Sequence, residues 1–126
     1  MEKEGDRDFV FNDPSGRVIF EITGSEGAIG LGKLRQLFDF IMDDEKKLGT
    51  PPKGVLVANH EIDLPPKERG QPFTKHVLDR ARGFGVCLLP SIELFRAVVL
   101  FRELKLEPAK FWTDLLKTIG VFELKR

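Results

Sequence analysis

The chain has 126 residues, of which 41% are hydrophobic and 32% are charged, a size and balance typical of one globular domain with one core. Its 20 basic residues offset its 20 acidic residues, so net charge gives no argument for a polyanionic partner. One cysteine and no apolar run near ~18 residues exclude a disulfide framework and a membrane span. With the polar start MEKEGDRD, which is unlike a signal peptide, these features predict a cytoplasmic protein without a membrane partner.

The N-terminal part of the chain predicts a β-hairpin. Residues 1–7 form a polar N-terminal tail, and the apolar residues 9–11 are typical of a strand. The segment 12–16, NDPSG, predicts a turn, because Asn and Asp bond their own backbone, Pro fixes φ and Gly permits a positive φ. Residues 17–23 then form the return strand. Its side chains alternate between two faces, so a carboxylate, Glu21, stands within an apolar strand, where it needs a hydrogen-bond partner or a cation.

A helix and a buried strand follow the hairpin. Apolar residues at helical spacing predict a helix over residues 30–48, and Gly49 is a candidate C-cap. The apolar run 54–58 predicts a buried strand. A strand, helix and strand at this spacing favour a right-handed crossover, with 54–58 parallel to the second hairpin strand.

The second half of the chain continues this alternation. We predict an irregular loop, a helix, a strand, two further helices and a final edge strand, with Gly120 as a C′ residue after the last helix. The whole chain, 1–126, is therefore predicted to be one α/β domain whose mixed sheet begins with a β-hairpin and is flanked by helices. The predicted segments are a loop at 59–72, a helix from the N-cap Thr74 to about Arg82, a strand at 86–89, a helix from 90–91, and a C-terminal helix and edge strand within 107–126.

Asp8 and Glu21 are the strongest candidate metal ligands. Asp8 opens the hairpin and Glu21 lies near the end of its second strand, so the two carboxylates can meet at the open end. A pair of carboxylates suits Mg²⁺, which completes its coordination with water and substrate phosphate. The alternative is that Asp8 caps the strand and Glu21 forms an ordinary salt bridge.

Several segments in order resemble a known superfamily over residues 8–100. They are DFVFNDPSGRVIFEITG, GKLRQLFDFI, KGVLVANH, LPPKER and GVCLLPSIELF. This series is similar to the PD-(D/E)XK nuclease-like superfamily, which has the restriction-endonuclease fold. That family places an acidic residue on one strand and E-x-K on the next, followed by a helix that often carries glutamine. The resemblance implies Mg²⁺-dependent hydrolysis of DNA phosphodiester bonds.

Carried over by position, the resemblance assigns the two acids to Asp8 and Glu21 and the helix glutamine to Gln36. Thr23 stands where the family keeps its lysine, and a hydroxyl cannot supply a cation. Lysine migrates within this superfamily, so Lys33 on the following helix is the candidate replacement. The weaker alternatives are Asp6 in place of Asp8 and Arg35 in place of Lys33.

Two further expectations concern partners. The family core has a helix and a strand before the acidic strand, whereas only seven polar residues precede Asp8 here. The chain is then either part of a larger parent protein or covered at that edge by a second copy in a homodimer. Basic residues interspersed with acids could form a DNA-binding face or an ordinary solvated surface. They are Lys33, Arg35, Lys67, Arg69, Lys75, Arg80 and Arg82.

The sequence leaves three readings of function open. The first is a metal-dependent nuclease, with Asp8, Glu21, Lys33 and Gln36 in its site. The second is a catalytically inactive module of the same fold, without Mg²⁺, that serves DNA binding or protein assembly. The third is a small α/β interaction domain in which Glu21 is structural. His60 follows a buried strand and is a candidate acid or base, although such a histidine more often packs in a loop.

Overall fold

The computed structural model describes residues 8–14 and 16–124. None of the helices within these residues has both the length and the hydropathy of a membrane-spanning segment. The strands are β1 (Phe9–Asp13), β2 (Gly16–Gly24), β3 (Lys53–Asn59), β4 (Cys87–Pro90) and β5 (Gly120–Val121). The α-helices are α1 (Leu31–Leu48), α2 (Lys75–Phe84), α3 (Ser91–Arg102) and α4 (Pro108–Lys117), and a short 3₁₀ helix spans Pro66–Glu68.

The five strands form one mixed sheet in the order β1-β2-β3-β4-β5. β1 and β2 are antiparallel, with Phe9 opposite Phe20, which confirms the predicted hairpin. β3, β4 and β5 each add in parallel, and Glu21 lies opposite Leu56 in the β2–β3 register. The α/β class and the parallel pairing expected from the strand–helix–strand spacing are therefore confirmed.

Two apolar layers cover the two faces of the sheet. Ile19 of β2 packs with the buried side of α1 and α2, whereas its neighbours Val18 and Phe20 pack with α3 and α4. This split follows directly from the alternation of side chains along a strand. Glu21 shares a face with Ile19 and therefore lies beneath α1.

Two helix ends differ from the prediction. α2 continues through Gly83 to Phe84, where the ring of Phe84 stacks on Phe38 at 3.8 Å between centroids, and Gly85 caps the helix in the left-handed region. Gly120 is not a C′ residue, because α4 already ends at the cap Thr118. Instead, Gly120 opens a strand of two residues, shorter than the predicted edge strand, and its amide donates to the Val86 carbonyl at 2.9 Å.

Candidate metal and catalytic site

Glu21 is a fully buried carboxylate within the apolar strand β2. Its exposed fraction is 0%, so its charge must be satisfied inside the protein. Oε2 accepts a hydrogen bond from the backbone amide of Asp8 at 2.8 Å. The hairpin register supplies this contact, because Phe9 opposite Phe20 places Asp8 beside Glu21 at the open end.

The side chain of Asp8 in turn accepts a hydrogen bond from the backbone of β2. Its Oδ2 accepts from the backbone amide of Ile22 at 2.8 Å, while its own amide donates to Glu21. The two carboxylates are thus fixed by backbone groups of the same hairpin. The side chain of Asp8 is 36% exposed, whereas that of Glu21 is 0% exposed. Solvent therefore reaches one carboxylate of the pair and not the other.

Lys33 places a positively charged group beside the two acids. Its Nζ lies 3.3 Å from Glu21 Oε1 and 3.6 Å from Asp8 Oδ2. Lys33 is in the first turn of α1, and that helix packs on the sheet through the buried Leu34 and Leu37. The helix therefore delivers the ammonium group over the face that carries Glu21. The structure thus brings together three of the residues that the sequence proposed for the site.

Asp8 and Glu21 direct their carboxylates at the same point, which the Lys33 ammonium group holds. One oxygen of Asp8 and one of Glu21 approach the same ammonium group, so the two carboxylates converge on one point. Two carboxylates plus water and substrate phosphate are an ordinary way to hold Mg²⁺. Across residues 8–14 and 16–124, no group of three or more His, Cys, Asp and Glu side chains could hold a metal. A cation bound here would therefore need ligands from solvent or substrate.

Three of the remaining predicted residues, Thr23, Gln36 and Arg35, are within the described part of the chain. Thr23 is half-buried two positions beyond Glu21, and Gln36 is exposed one turn after Lys33 on α1. Arg35 is also exposed, and the contacts with the two acids are made by Lys33. The alternative acid Asp6 lies outside the described residues.

His60 closes a loop after β3. It is 2% exposed, and its Nε2 is 2.9 Å from the carbonyl oxygen of Gly70. The carboxylate of Glu61 reinforces the same closure by accepting from the Gly70 amide at 2.7 Å. Nδ1 of His60 is buried without a hydrogen-bond partner in the described structure. These contacts give His60 a structural position in the loop.

Asn59 organises a second polar cluster at the end of β3. Its Oδ1 accepts from Arg69 Nη1 at 2.7 Å and from Ser91 Oγ at 3.0 Å. Arg69 also donates from Nε to the Leu64 carbonyl at 3.0 Å, so this guanidinium braces the loop. The sequence left two interpretations of Arg69, a DNA-binding face or an ordinary solvated surface. The sequence feature that indicates this structural role is Asn59 itself, a polar residue that directly follows the apolar run 54–58.

Comparisons with known proteins give no relative from which function can be transferred. No protein-family model, curated protein or solved structure matches the chain. Function is therefore inferred from the contacts among Asp8, Glu21 and Lys33.

Proposed function

We propose that this chain is a nuclease-like domain of the PD-(D/E)XK type that hydrolyses DNA phosphodiester bonds with Mg²⁺. The observation that supports the proposal is the position of Lys33 Nζ, 3.3 Å from Glu21 and 3.6 Å from Asp8. Thr23 occupies the usual lysine position, and the ammonium group reaches the same two acids from the next helix. With Lys33 in this position, the site contains the two acids and the one cation of the family motif, although the lysine comes from a different place in the chain.

Asp8 and Glu21 would hold the Mg²⁺ ion. When bound, the ion supplies Lewis-acid polarisation of the phosphoryl group and makes water a stronger nucleophile. The buried Glu21 would be a rigid ligand, because its Oε2 is fixed by the Asp8 amide. The exposed side of Asp8 leaves room for the phosphate and water that complete the coordination. Two carboxylates against one ammonium also leave the cluster with one net negative charge, which favours a cation.

Lys33 would act on the substrate rather than as a ligand. An ammonium group beside the reacting phosphate stabilises negative charge that develops in the transition state. Its three N–H donors can also orient the attacking water. Gln36 lies one turn further along α1 and is exposed, so it is available to a DNA strand that crosses the start of the helix.

Cleavage of plasmid DNA tests this function. We expect nicking with Mg²⁺ or Mn²⁺ and none with a chelator. Lys33→Met should lower the rate by about 10²- to 10³-fold, the effect of removing one transition-state donor. Lys46→Met is the matched control, because Lys46 is an exposed lysine near the other end of α1. An equal loss of nicking rate in Lys33→Met and Lys46→Met would contradict the role of Lys33.

A catalytically inactive module of the same fold is the second candidate. It is favoured by the pairing of the three side chains, because Lys33 already offers a positive charge to both acids. Calorimetric titration of Mg²⁺ into wild type and Glu21→Gln separates the two functions. Binding heat that only wild type shows supports the nuclease, and absence of heat in both removes it. DNA binding by such a metal-free protein would then separate this module from an interaction domain in which Glu21 is structural.

Thr23→Lys provides the complementary test. In a degenerate nuclease, this substitution should create nicking activity that wild type lacks. In an enzyme with a migrated lysine, wild type is already active and a second lysine at position 23 is not required. The pair Thr23→Lys and Lys33→Met therefore shows which position supplies the cation.

A further inference from the structure

The ammonium group of Lys33 stands where the two acids of the candidate site converge. Its Nζ is 3.3 Å from Glu21 Oε1 and 3.6 Å from Asp8 Oδ2. A divalent cation ligated by both oxygens would lie beside this ammonium group, and two positive charges at such short range repel each other. The contacts with Lys33 and the binding of a metal ion to the same two oxygens therefore compete.

The contacts of Glu21 show which of its partners can give way. Oε2 accepts from the backbone amide of Asp8 at 2.8 Å, and the pairing of the hairpin strands fixes that amide. Oε1 faces the ammonium group of Lys33 at 3.3 Å. A lysine side chain is a flexible four-carbon stem, whereas a paired strand is not free to move. A ligand position on this buried carboxylate therefore opens at Oε1, by withdrawal of Lys33.

Lys33 can withdraw without detaching α1 from the sheet. Its side chain is 32% exposed, so one side of the stem already meets solvent. The helix is held independently by the buried side chains of Leu34 and Leu37. Near the other end of α1, Asp44 accepts from Arg17 Nε of β2 at 2.7 Å. The ammonium group can therefore change its position while the helix keeps its own.

We infer that Lys33 is a displaceable occupant of the cation site. In the metal-free protein its ammonium group neutralises the buried carboxylate, which would be costly to leave unpaired. When a divalent cation binds to Asp8 and Glu21, the ammonium group leaves them and turns to solvent. This inference rests on the proposed function, because the cation is the Mg²⁺ of that site. Lys33 thus becomes available to a DNA phosphate only once the metal is bound.

Calorimetric titration with Mg²⁺ alone, without DNA, tests the exchange. Lys33→Met should bind Mg²⁺ about ten- to hundredfold more tightly than wild type, because no hydrogen bond between charged groups has to be broken first. Lys46→Met, at an exposed lysine of the same helix, should bind Mg²⁺ like wild type. Lys33→Met should also lower the nicking rate, so metal affinity and cleavage should change in opposite directions. Loss of fold stability alone would not raise metal affinity.

Amine labelling tests the movement in the wild-type protein, so its result does not depend on how a variant folds. Brief acetylation with an N-hydroxysuccinimide ester, followed by peptide mass spectrometry, measures the reactivity of each lysine. Saturating Mg²⁺ should raise the labelling rate of Lys33 severalfold, because contact with two carboxylates withholds its nitrogen from the reagent. The labelling rate of Lys46 should stay the same and serves as the internal control.

The outcomes separate this inference from the proposed function. Equal Mg²⁺ affinity in wild type and Lys33→Met would overturn the exchange, even if wild type nicks DNA. A labelling rate of Lys33 that does not respond to Mg²⁺ would overturn it as well. Tighter binding by Lys33→Met, with no nicking by wild type, would support the exchange and contradict the nuclease. Absence of Mg²⁺ binding in both proteins would overturn both.

Discussion

Lys33 Nζ lies 3.3 Å from Glu21 Oε1, although twelve residues separate the two positions in the chain. The carboxylate is fully buried in the sheet, and the ammonium group reaches it from the first turn of the next helix. One contact therefore joins β2 to α1 and also places a cation beside two acids. Its loss should affect both the stability of the fold and the proposed chemistry.

Lys33→Met should destabilise the protein by about 2 kcal/mol, because it leaves a buried carboxylate without its cationic partner. Glu21→Gln in the same background should recover part of the loss, since a neutral amide oxygen can still accept from the Asp8 amide. Urea denaturation of the single and double variants measures the coupling. Lys46→Met should change the free energy of unfolding by less than about 0.5 kcal/mol.

Asp44 and Arg17 form a second link between α1 and β2. Arg17 Nε lies 2.7 Å from Asp44 Oδ2, and the Asp44 side chain is 5% exposed. Asp44→Asn should lower the free energy of unfolding by about 1–3 kcal/mol, because a charge-assisted hydrogen bond is lost at a nearly dry site. Asp43→Asn, at the exposed neighbouring position, is the control in the same denaturation series. Similar losses in both variants would contradict the assignment.

Gly54 accommodates the close approach of α1 to β3. A Cβ at position 54 would lie 2.6 Å from Ile41 Cδ1 and 3.3 Å from Leu37 Cγ. Gly54→Ala should therefore cost about 1–3 kcal/mol in unfolding free energy. Adding Ile41→Val removes the closest methyl group, so the double variant should lose less than the sum of the single losses. Gly27→Ala, where the added carbon meets nothing within 4 Å, should lack this steric cost.

Titration of Cys87 should lower the free energy of unfolding at alkaline pH. Burial raises the pKa of its thiol from 9.0 to about 12, and the nearby charge of Lys53 acts in the opposite direction. Between those values the unfolded chain loses the thiol proton while the folded protein keeps it. The protonated thiol's contribution is therefore complete below pH 9.0 and is lost as pH rises toward about 12.

Cys87→Ala isolates this effect. Burial also lowers the pKa of Lys53, which acts in the opposite sense because the folded protein releases that proton first. Lys53 is present in both proteins, so the difference between wild type and Cys87→Ala reports mainly on the thiol. Urea denaturation between pH 8 and pH 11 should show a steeper loss in wild type. If the free energy of unfolding falls with pH equally in wild type and Cys87→Ala, the result would contradict a raised pKa of the Cys87 thiol.

The sequence by itself determined the order of elements and the faces of the sheet. Alternation along β2 separated Ile19 and Glu21 from Val18 and Phe20, and the structure packs them in two different layers. Turn residues defined the hairpin, and helical spacing defined α1. These features are local, because backbone geometry and side-chain period depend on residues that are near in sequence.

Only the tertiary structure decided where helices end and which charges meet. α2 passes Gly83 and ends at the cap Gly85, and Phe84 in its last turn stacks on Phe38, a residue of another helix. The sequence suggested Lys33 as a stand-in for Thr23, and only the packing of α1 on the sheet could bring its ammonium group to Glu21. Distances of this kind depend on contacts between elements far apart in the chain, and no local pattern encodes them.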